Sequence, residues 1–121
     1  MASYRGTTTY VRVYEELVRA AQYRGLTTYQ DVAAMMGLLM TGNKMGREVG
    51  QILNEIVVDE LAADRPMLSA VVERASGGSG PGFFALAKEC GRHKGHVTDQ
   101  AFWKSELEAV YAAWRRPLPE H

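Results

Sequence analysis

The sequence contains only one cysteine, Cys90, so no internal disulfide can stabilise the fold. A single thiol fits a reducing compartment, and we expect a cytoplasmic protein. No apolar run approaches the roughly 18 residues that a membrane-spanning helix needs, and no charged segment followed by an apolar one is typical of a signal peptide. We therefore expect neither a membrane span nor a disulfide scaffold.

The sequence also lacks a net charge. Fourteen Lys and Arg residues balance fourteen Asp and Glu residues, so no overall positive field attracts the chain to nucleic acid. Any contact with DNA must depend on a local patch of charge. The length of 121 residues predicts one domain, spanning 1–121, with one continuous core.

The first predicted element is an amphipathic helix over residues 7–23. Its apolar residues recur three and four positions apart, which places them on one stripe. The Arg24-Gly25 pair is expected to end the helix. The residues before it, 1–6, are expected to form a loose tail.

A short second helix is predicted from Thr28 to Gly37. Thr28 lies three residues before Asp31, a spacing at which the hydroxyl and the carboxylate can bind free amides of the first turn. Gly37 is suited to a left-handed stop. After a connector over 38–43, a longer helix is predicted over 44–58, and the two helices form a helix-turn-helix pattern.

The predicted helix over 44–58 has two distinct faces. At about 100° per residue, one face is apolar and the other is polar. The apolar face comprises Met45, Val49, Ile52, Leu53 and Ile56, and the polar face comprises Lys44, Arg47, Gln51 and Asn54. Lys and Arg neutralise phosphates, whereas Arg, Gln and Asn can pair with base edges. The polar face is thus either a recognition surface or a set of solvated positions.

The second half of the chain predicts one strand and two further helices. The strand lies over 67–73, and the breaker cluster ASGGSGPG at 75–82 follows it as a turn, as in the wing of a winged helix. The helices lie over 83–90 and from Thr98 or Asp99 to about 115. Their aromatic residues predict core packing or a surface for a protein partner or a second copy.

Three segments resemble one known family. They are Thr28-Tyr29-Gln30-Asp31-Val32-Ala33, Gly46-Arg47-Glu48-Val49-Gly50 and Arg65-Pro66-Met67-Leu68-Ser69-Ala70-Val71-Val72. In this order they resemble the DNA-binding domain of the O6-alkylguanine-DNA alkyltransferases and the alkyltransferase-like proteins. The resemblance implies an alkyltransferase-like core over 7–80, with a helical extension over 81–116. It also implies that Tyr29 presses on the phosphate of a rotated nucleotide and that Arg47 enters the duplex in place of the base.

The resemblance does not extend to the reaction. Where the family has its cysteine or tryptophan, this chain has Met67 or Leu68, depending on the alignment, and the adjacent histidine becomes Leu68 or Ser69. Alkyl transfer needs a thiolate activated by a neighbouring base, which neither Met nor Leu provides. A protein that is not an enzyme is therefore expected.

One further cluster has a spacing that could bind a metal. Cys90, His93 and His96 have the spacing C-x-x-H-x-x-H, which could hold zinc with a fourth ligand, but no second pair of ligands accompanies them. A solvated basic loop is the simpler interpretation, and no cofactor is expected.

Together these patterns predict a mainly α winged helix-turn-helix domain with a small β wing and two extra C-terminal helices. The function predicted is non-catalytic binding of duplex DNA. The residues predicted to contact DNA are Tyr29, Gln30, Lys44, Arg47, Gln51 and Asn54. The alternative is a protein-interaction or accessory module that keeps the scaffold but does not bind DNA.

Overall fold

The computed structural model describes residues 3–38 and 43–115, with only the backbone described at 43 and 44. The protein is mainly helical, with one small sheet. Its elements are α1 (Thr8–Gln22), β1 (Thr27–Thr28), α2 (Tyr29–Met35), α3 (Asn43–Ala62), a 3-10 helix (Leu68–Val71), β2 (Val72–Glu73), α4 (Pro81–Glu89) and α5 (Asp99–Trp114). The predicted connector between α2 and α3 lies outside the described residues at 39–42.

Threonine caps begin three of the helices. The hydroxyls of Thr7, Thr28 and Thr98 accept hydrogen bonds from amides three residues later, at the starts of α1, α2 and α5. Each bond satisfies a backbone donor that has no partner within its helix. The predicted starts at Thr28 and Thr98 are thus confirmed.

The helix ends follow the predicted glycines in two cases. Gly37 and Gly91 have φ values of +74° and +78°, the left-handed conformation that ends a helix. At the end of α1, however, Arg24 takes this conformation, with φ +54°, and Gly25 does not. Chain reversal there depends on a non-glycine residue.

Helix α3 is longer than predicted, because it continues through the polar residues after 58 to Ala62. Glu60 is only 1% exposed and accepts hydrogen bonds from Tyr14 and Arg65. A carboxylate with two such donors can be buried within a helix.

The strand predicted over 67–73 was wrong for most of its length. Residues 68–71 form the 3-10 helix, and only Val72–Glu73 is extended. Every side chain from Met67 to Val72 is buried, so the segment lies inside the protein and not at an edge. The amide of Met67 donates to the buried carboxylate of Glu106, 2.8 Å away, which satisfies this backbone group without a strand partner.

The sheet consists of two short parallel strands. Thr27 pairs with Val72 and Thr28 with Glu73, although α2 and α3 lie between them in the chain. The turn after β2 is closed by hydrogen bonds between Arg74 and residues 77 and 78, and Gly77 and Gly78 have φ values of +90° and +69°. The breaker cluster is therefore a tight turn that leads from β2 into α4.

Helix α5 covers the core with its aromatic side chains. Phe102 and Val110 are buried, and Trp103 donates to the carbonyl of Ala70, 2.9 Å away. The hydroxyl of Tyr111 donates to the carbonyl of Gly25, 2.8 Å away. These bonds fix α5 to the 3-10 helix and to the turn after α1. In the described part of the chain, no helix combines the length and the apolar character needed to cross a membrane.

The N-terminal segment, predicted to be a loose tail, lies along α3 instead. Residues 3–5, which we call the strap, bind Glu55 through the hydroxyl of Ser3 and the amides of Tyr4 and Arg5. Tyr4 also donates its hydroxyl to Glu48, and this bond raises the pKa of Tyr4 to about 12. Arg5 forms an ion pair with Asp59. Carboxylates on one side of α3 therefore hold the strap.

We expect the strap to detach in acid. Burial raises the pKa of Glu55, but hydrogen bonds from Gln51, Ser3 and the strap amides outweigh it and lower the pKa overall; Asp59 is lowered similarly, with Arg5 and Tyr10 as donors. Because these pKa values are lowered, the ionised carboxylates stabilise the strap fully above their ordinary pKa values of 4.5 and 3.8. This stabilisation is lost as the pH falls through the lowered pKa values. The hydrogen-exchange protection of the strap amides should therefore decrease over this pH range.

The matched variant for this measurement is Glu55→Gln, which keeps the shape and removes the charge. Its strap amides should be weakly protected at neutral pH. Unchanged protection of the wild-type strap at about pH 3, with the rest of the protein still folded, would contradict the role given to these carboxylates.

Candidate functional site

A pocket of about 380 Å³ lies beside the N-terminal half of α3. This volume is at the small end of the roughly 300–1,000 Å³ typical of ligand pockets. Its walls come from the start of α2, from α3, from the 3-10 helix, from the turn after β2 and from the start of α4. The lining residues are Tyr29, Gln30, Met45, Gly46, Val49, Gly50, Leu53, Asn54, Ser69, Arg74, Ala75, Gly80, Pro81, Gly82 and Phe83.

Helix α3 forms the apolar wall. Met45, Val49 and Leu53 are spaced four residues apart, so they follow one another along the same side of the helix. Gly46 and Gly50 lie beside them, and a Cβ atom at either position would meet no heavy atom within 4 Å. The two glycines therefore leave open space where side chains would otherwise project into the pocket.

Tyr29 forms the opposite wall and is fixed by the start of α4. The amide of Gly80 donates to its hydroxyl oxygen at 3.0 Å. A Cβ atom at Gly80 would lie 3.0 Å from the same oxygen, a tight contact, so this close approach favours glycine. Burial raises the pKa of Tyr29, and the Gly80 amide only partly offsets this, so the phenol stays protonated at neutral pH.

The segment aligned with the family's active site contributes a different residue from those expected. Met67 and Leu68 are fully buried in the core, and the residue of the 3-10 helix that lines the pocket is Ser69. Sequence reasoning missed it as a site residue. The available signal was one hydroxyl within the otherwise apolar run Met67-Leu68-Ser69-Ala70-Val71-Val72.

The remaining polar lining groups are cationic or neutral. Arg74 is exposed and lines the pocket, as do the amide side chains of Gln30 and Asn54. No Asp or Glu is among the described residues that line it. The predicted site residues Tyr29, Gln30 and Asn54 therefore belong to one cavity, which does not repel an anionic group.

Arg47 lies next to the pocket but outside its lining. It is exposed, and its side chain makes no hydrogen bond or ion pair with any residue of 3–38 or 45–115. At about 100° per residue, Arg47 falls within about 20° of Asn54 around α3, two turns nearer its N-terminus. Its guanidinium therefore has no partner among these residues.

The polar face predicted for α3 divides into two parts. Gln51 lies on the strap side and donates to Glu55, so it is engaged within the protein. Arg47 and Asn54 lie on the pocket side. The side chain of Lys44 lies outside the described residues. A helical wheel places these four residues together because it does not include the strap.

The cysteine and histidine cluster is dispersed. His93 is buried and stacks on Phe102 at a centroid distance of 4.6 Å, with its Nε2 2.7 Å from a carboxylate oxygen of Asp99. Cys90 is exposed at the end of α4. Within 3–38 and 43–115, no three His, Cys, Asp or Glu side chains are grouped to hold a metal ion. His93 contributes to the packing of α4 against α5.

Comparisons with protein families, curated proteins and solved structures found no match to this chain. The resemblance to the alkyltransferase family therefore depends on the three short motifs alone.

Proposed function

We propose that this protein binds duplex DNA without catalysing a reaction, and that the pocket beside α3 receives one base rotated out of the helix. The observation that carries the proposal is the position of the unpaired Arg47 beside an apolar pocket whose lining includes no carboxylate. Helices α2 and α3 then act as a helix-turn-helix pair. We interpret the scaffold as a winged helix in which the turn after β2 takes the place of the wing.

Local charge supports this proposal despite the neutral chain. Arg74 lines the pocket and Arg47 lies beside it, so two guanidinium groups are available for the backbone of one nucleotide. Arginine binds phosphate through paired hydrogen bonds. A site that depends on a few phosphate contacts has a measurable but modest salt dependence.

The pocket supports the rotated base. A base outside the duplex exchanges stacking on its neighbours for contact with protein, and the rotation costs a few kcal/mol. Met45, Val49, Leu53 and Phe83 offer apolar contact, and the phenol of Tyr29 offers a flat surface.

The pocket chemistry supports binding without reaction. Ser69 lies next to the positions aligned with the family's cysteine, and none of the described residues that line the pocket is a His, Asp or Glu that could remove its proton. An unactivated hydroxyl is a weak nucleophile at neutral pH. The proposed role is therefore recognition.

Replacing Arg47 by alanine should weaken binding of a duplex that contains one unpaired base by about tenfold or more. The loss of one phosphate contact should also reduce the slope of log affinity against log salt by about 0.9. Fluorescence anisotropy over a salt series measures both quantities. The matched control is Arg12→Ala, because Arg12 is an exposed arginine of α1 that does not line the pocket.

Equal affinity and equal salt slope for Arg47→Ala and the wild type would refute this use of α3. Absence of wild-type duplex binding at low salt, together with a dimer in sedimentation, would favour the alternative of a protein-interaction module.

A further inference from the structure

Ser69 carries a hydroxyl without a partner in the described chain. The residue is 6% exposed, and its side chain makes no hydrogen bond with any described residue. A hydroxyl accessible from a pocket can hydrogen-bond to water or to a bound molecule. Because Ser69 lines the pocket, its missing partner can come from a molecule bound there.

Tyr29 directs a second donor towards the same cavity. Its hydroxyl oxygen already accepts the amide of Gly80, and no described residue accepts the hydroxyl proton. A phenol whose oxygen already accepts one hydrogen bond keeps its hydroxyl proton free to donate. Tyr29 and Ser69 thus offer two hydroxyl donors within an otherwise apolar lining.

The other polar groups of the pocket agree with this pattern. Arg74 is a donor with no acceptor capacity, and no carboxylate lines the cavity. Gln30 and Asn54 can adapt, since each amide both donates and accepts. The lining thus offers more donors than acceptors, and a ring with a carbonyl oxygen could accept from either hydroxyl.

We propose that Ser69 determines specificity by donating a hydrogen bond to an exocyclic carbonyl oxygen of the bound base, so that the pocket selects carbonyl-bearing bases over analogues without that oxygen. This proposal rests on the function proposed above. A site that offers a hydrogen bond discriminates against a ligand unable to form it, because its buried donor is then left unpaired.

The test compares two duplexes whose bases differ in the exocyclic oxygen and in the proton at the adjacent N1, and Ser69→Ala identifies the part that depends on the hydroxyl. One carries hypoxanthine and the other unsubstituted purine, each opposite an abasic position so that pairing does not differ. The wild type should bind the hypoxanthine duplex about 3- to 10-fold more tightly, the range expected for one neutral hydrogen bond. Ser69→Ala should bring the ratio to about one.

The control variant is Ser76→Ala, which removes an exposed hydroxyl from the turn after β2 and should keep the wild-type ratio. Thermal unfolding of Ser69→Ala establishes that this nearly isosteric variant is folded. A wild-type ratio of one, or an undiminished ratio in Ser69→Ala, would overturn the role of Ser69 while leaving DNA binding intact.

A second measurement separates this proposal from the first. Free hypoxanthine and free purine are titrated into the wild type and Ser69→Ala, and the amide NMR signals of pocket residues are followed. Preference for hypoxanthine that disappears in Ser69→Ala would support the pocket specificity even if no duplex bound. Equal response to both bases in the wild type would refute it.

Discussion

Replacing Glu106 by alanine should lower the free energy of unfolding by about 2–4 kcal/mol. Glu106 is 5% exposed on α5, and its carboxylate accepts the amide of Met67 at 2.8 Å and the guanidinium of Arg92 at 2.7 Å. Its removal leaves a buried amide without an acceptor and opens space at the contact between α5 and the 3-10 helix. Urea unfolding followed by tryptophan fluorescence measures the change.

The control for this prediction is Glu108→Ala. Glu108 is exposed on the same helix and carries the same charge, so its replacement should change stability by less than about 0.5 kcal/mol. Equal effects of the two variants would mean that the bonds of Glu106 to Met67 and Arg92 do not stabilise the fold.

Replacing Gly50 by leucine should raise stability and abolish binding of the rotated base. The position lies within α3, where leucine is favoured over glycine by roughly 1 kcal/mol, and a new Cβ meets no atom within 4 Å. Because Gly50 lines the pocket, the longer side chain occupies the space proposed for the base. We expect at least a tenfold loss of affinity for the hypoxanthine duplex.

The opposite directions of the two effects make this variant informative, since loss of binding cannot then be attributed to unfolding. Ala62→Leu is the control, because it adds a similar side chain at an exposed position at the far end of α3. A Gly50→Leu protein that binds the duplex like the wild type would show that the pocket is not the site.

Local signals predicted the helices well. The starts at Thr28 and Thr98 and the stops at Gly37 and Gly91 each depend on a few neighbouring residues, so the sequence contains what is needed to place them. The left-handed Arg24 was missed because arginine has no intrinsic preference for that conformation.

Long-range contacts explain what was not predicted. Val71 and Val72 favour a strand, but the backbone at Met67 is satisfied by Glu106, far away in the chain, and a 3-10 helix results. Likewise, the continuation of α3 through Glu60 depends on Tyr14 and Arg65. A prediction from neighbouring residues cannot identify such distant partners.

The site was predictable only in part, because some of its residues depend on long-range contacts. Helical spacing and the family motifs singled out Tyr29, Gln30 and Asn54, which line the pocket, and Arg47 beside it. Ser69 was missed as a site residue because its exposure to the pocket arises only when the 3-10 helix packs against α3. The engagement of Gln51 with Glu55 also escaped prediction, since its context includes the strap.

The pairing of Thr27 with Val72 has a consequence for how the protein folds. The two strands close a long loop that contains all of α2 and α3, and closing such a loop costs chain entropy before any contact compensates for it. Tyr29 follows the first strand directly and Ser69 closely precedes the second, so the two hydroxyls of the pocket meet only when the loop has closed. The pocket therefore forms only in the completely folded protein. A molecule bound in it should stabilise the protein against global unfolding as well as against local opening.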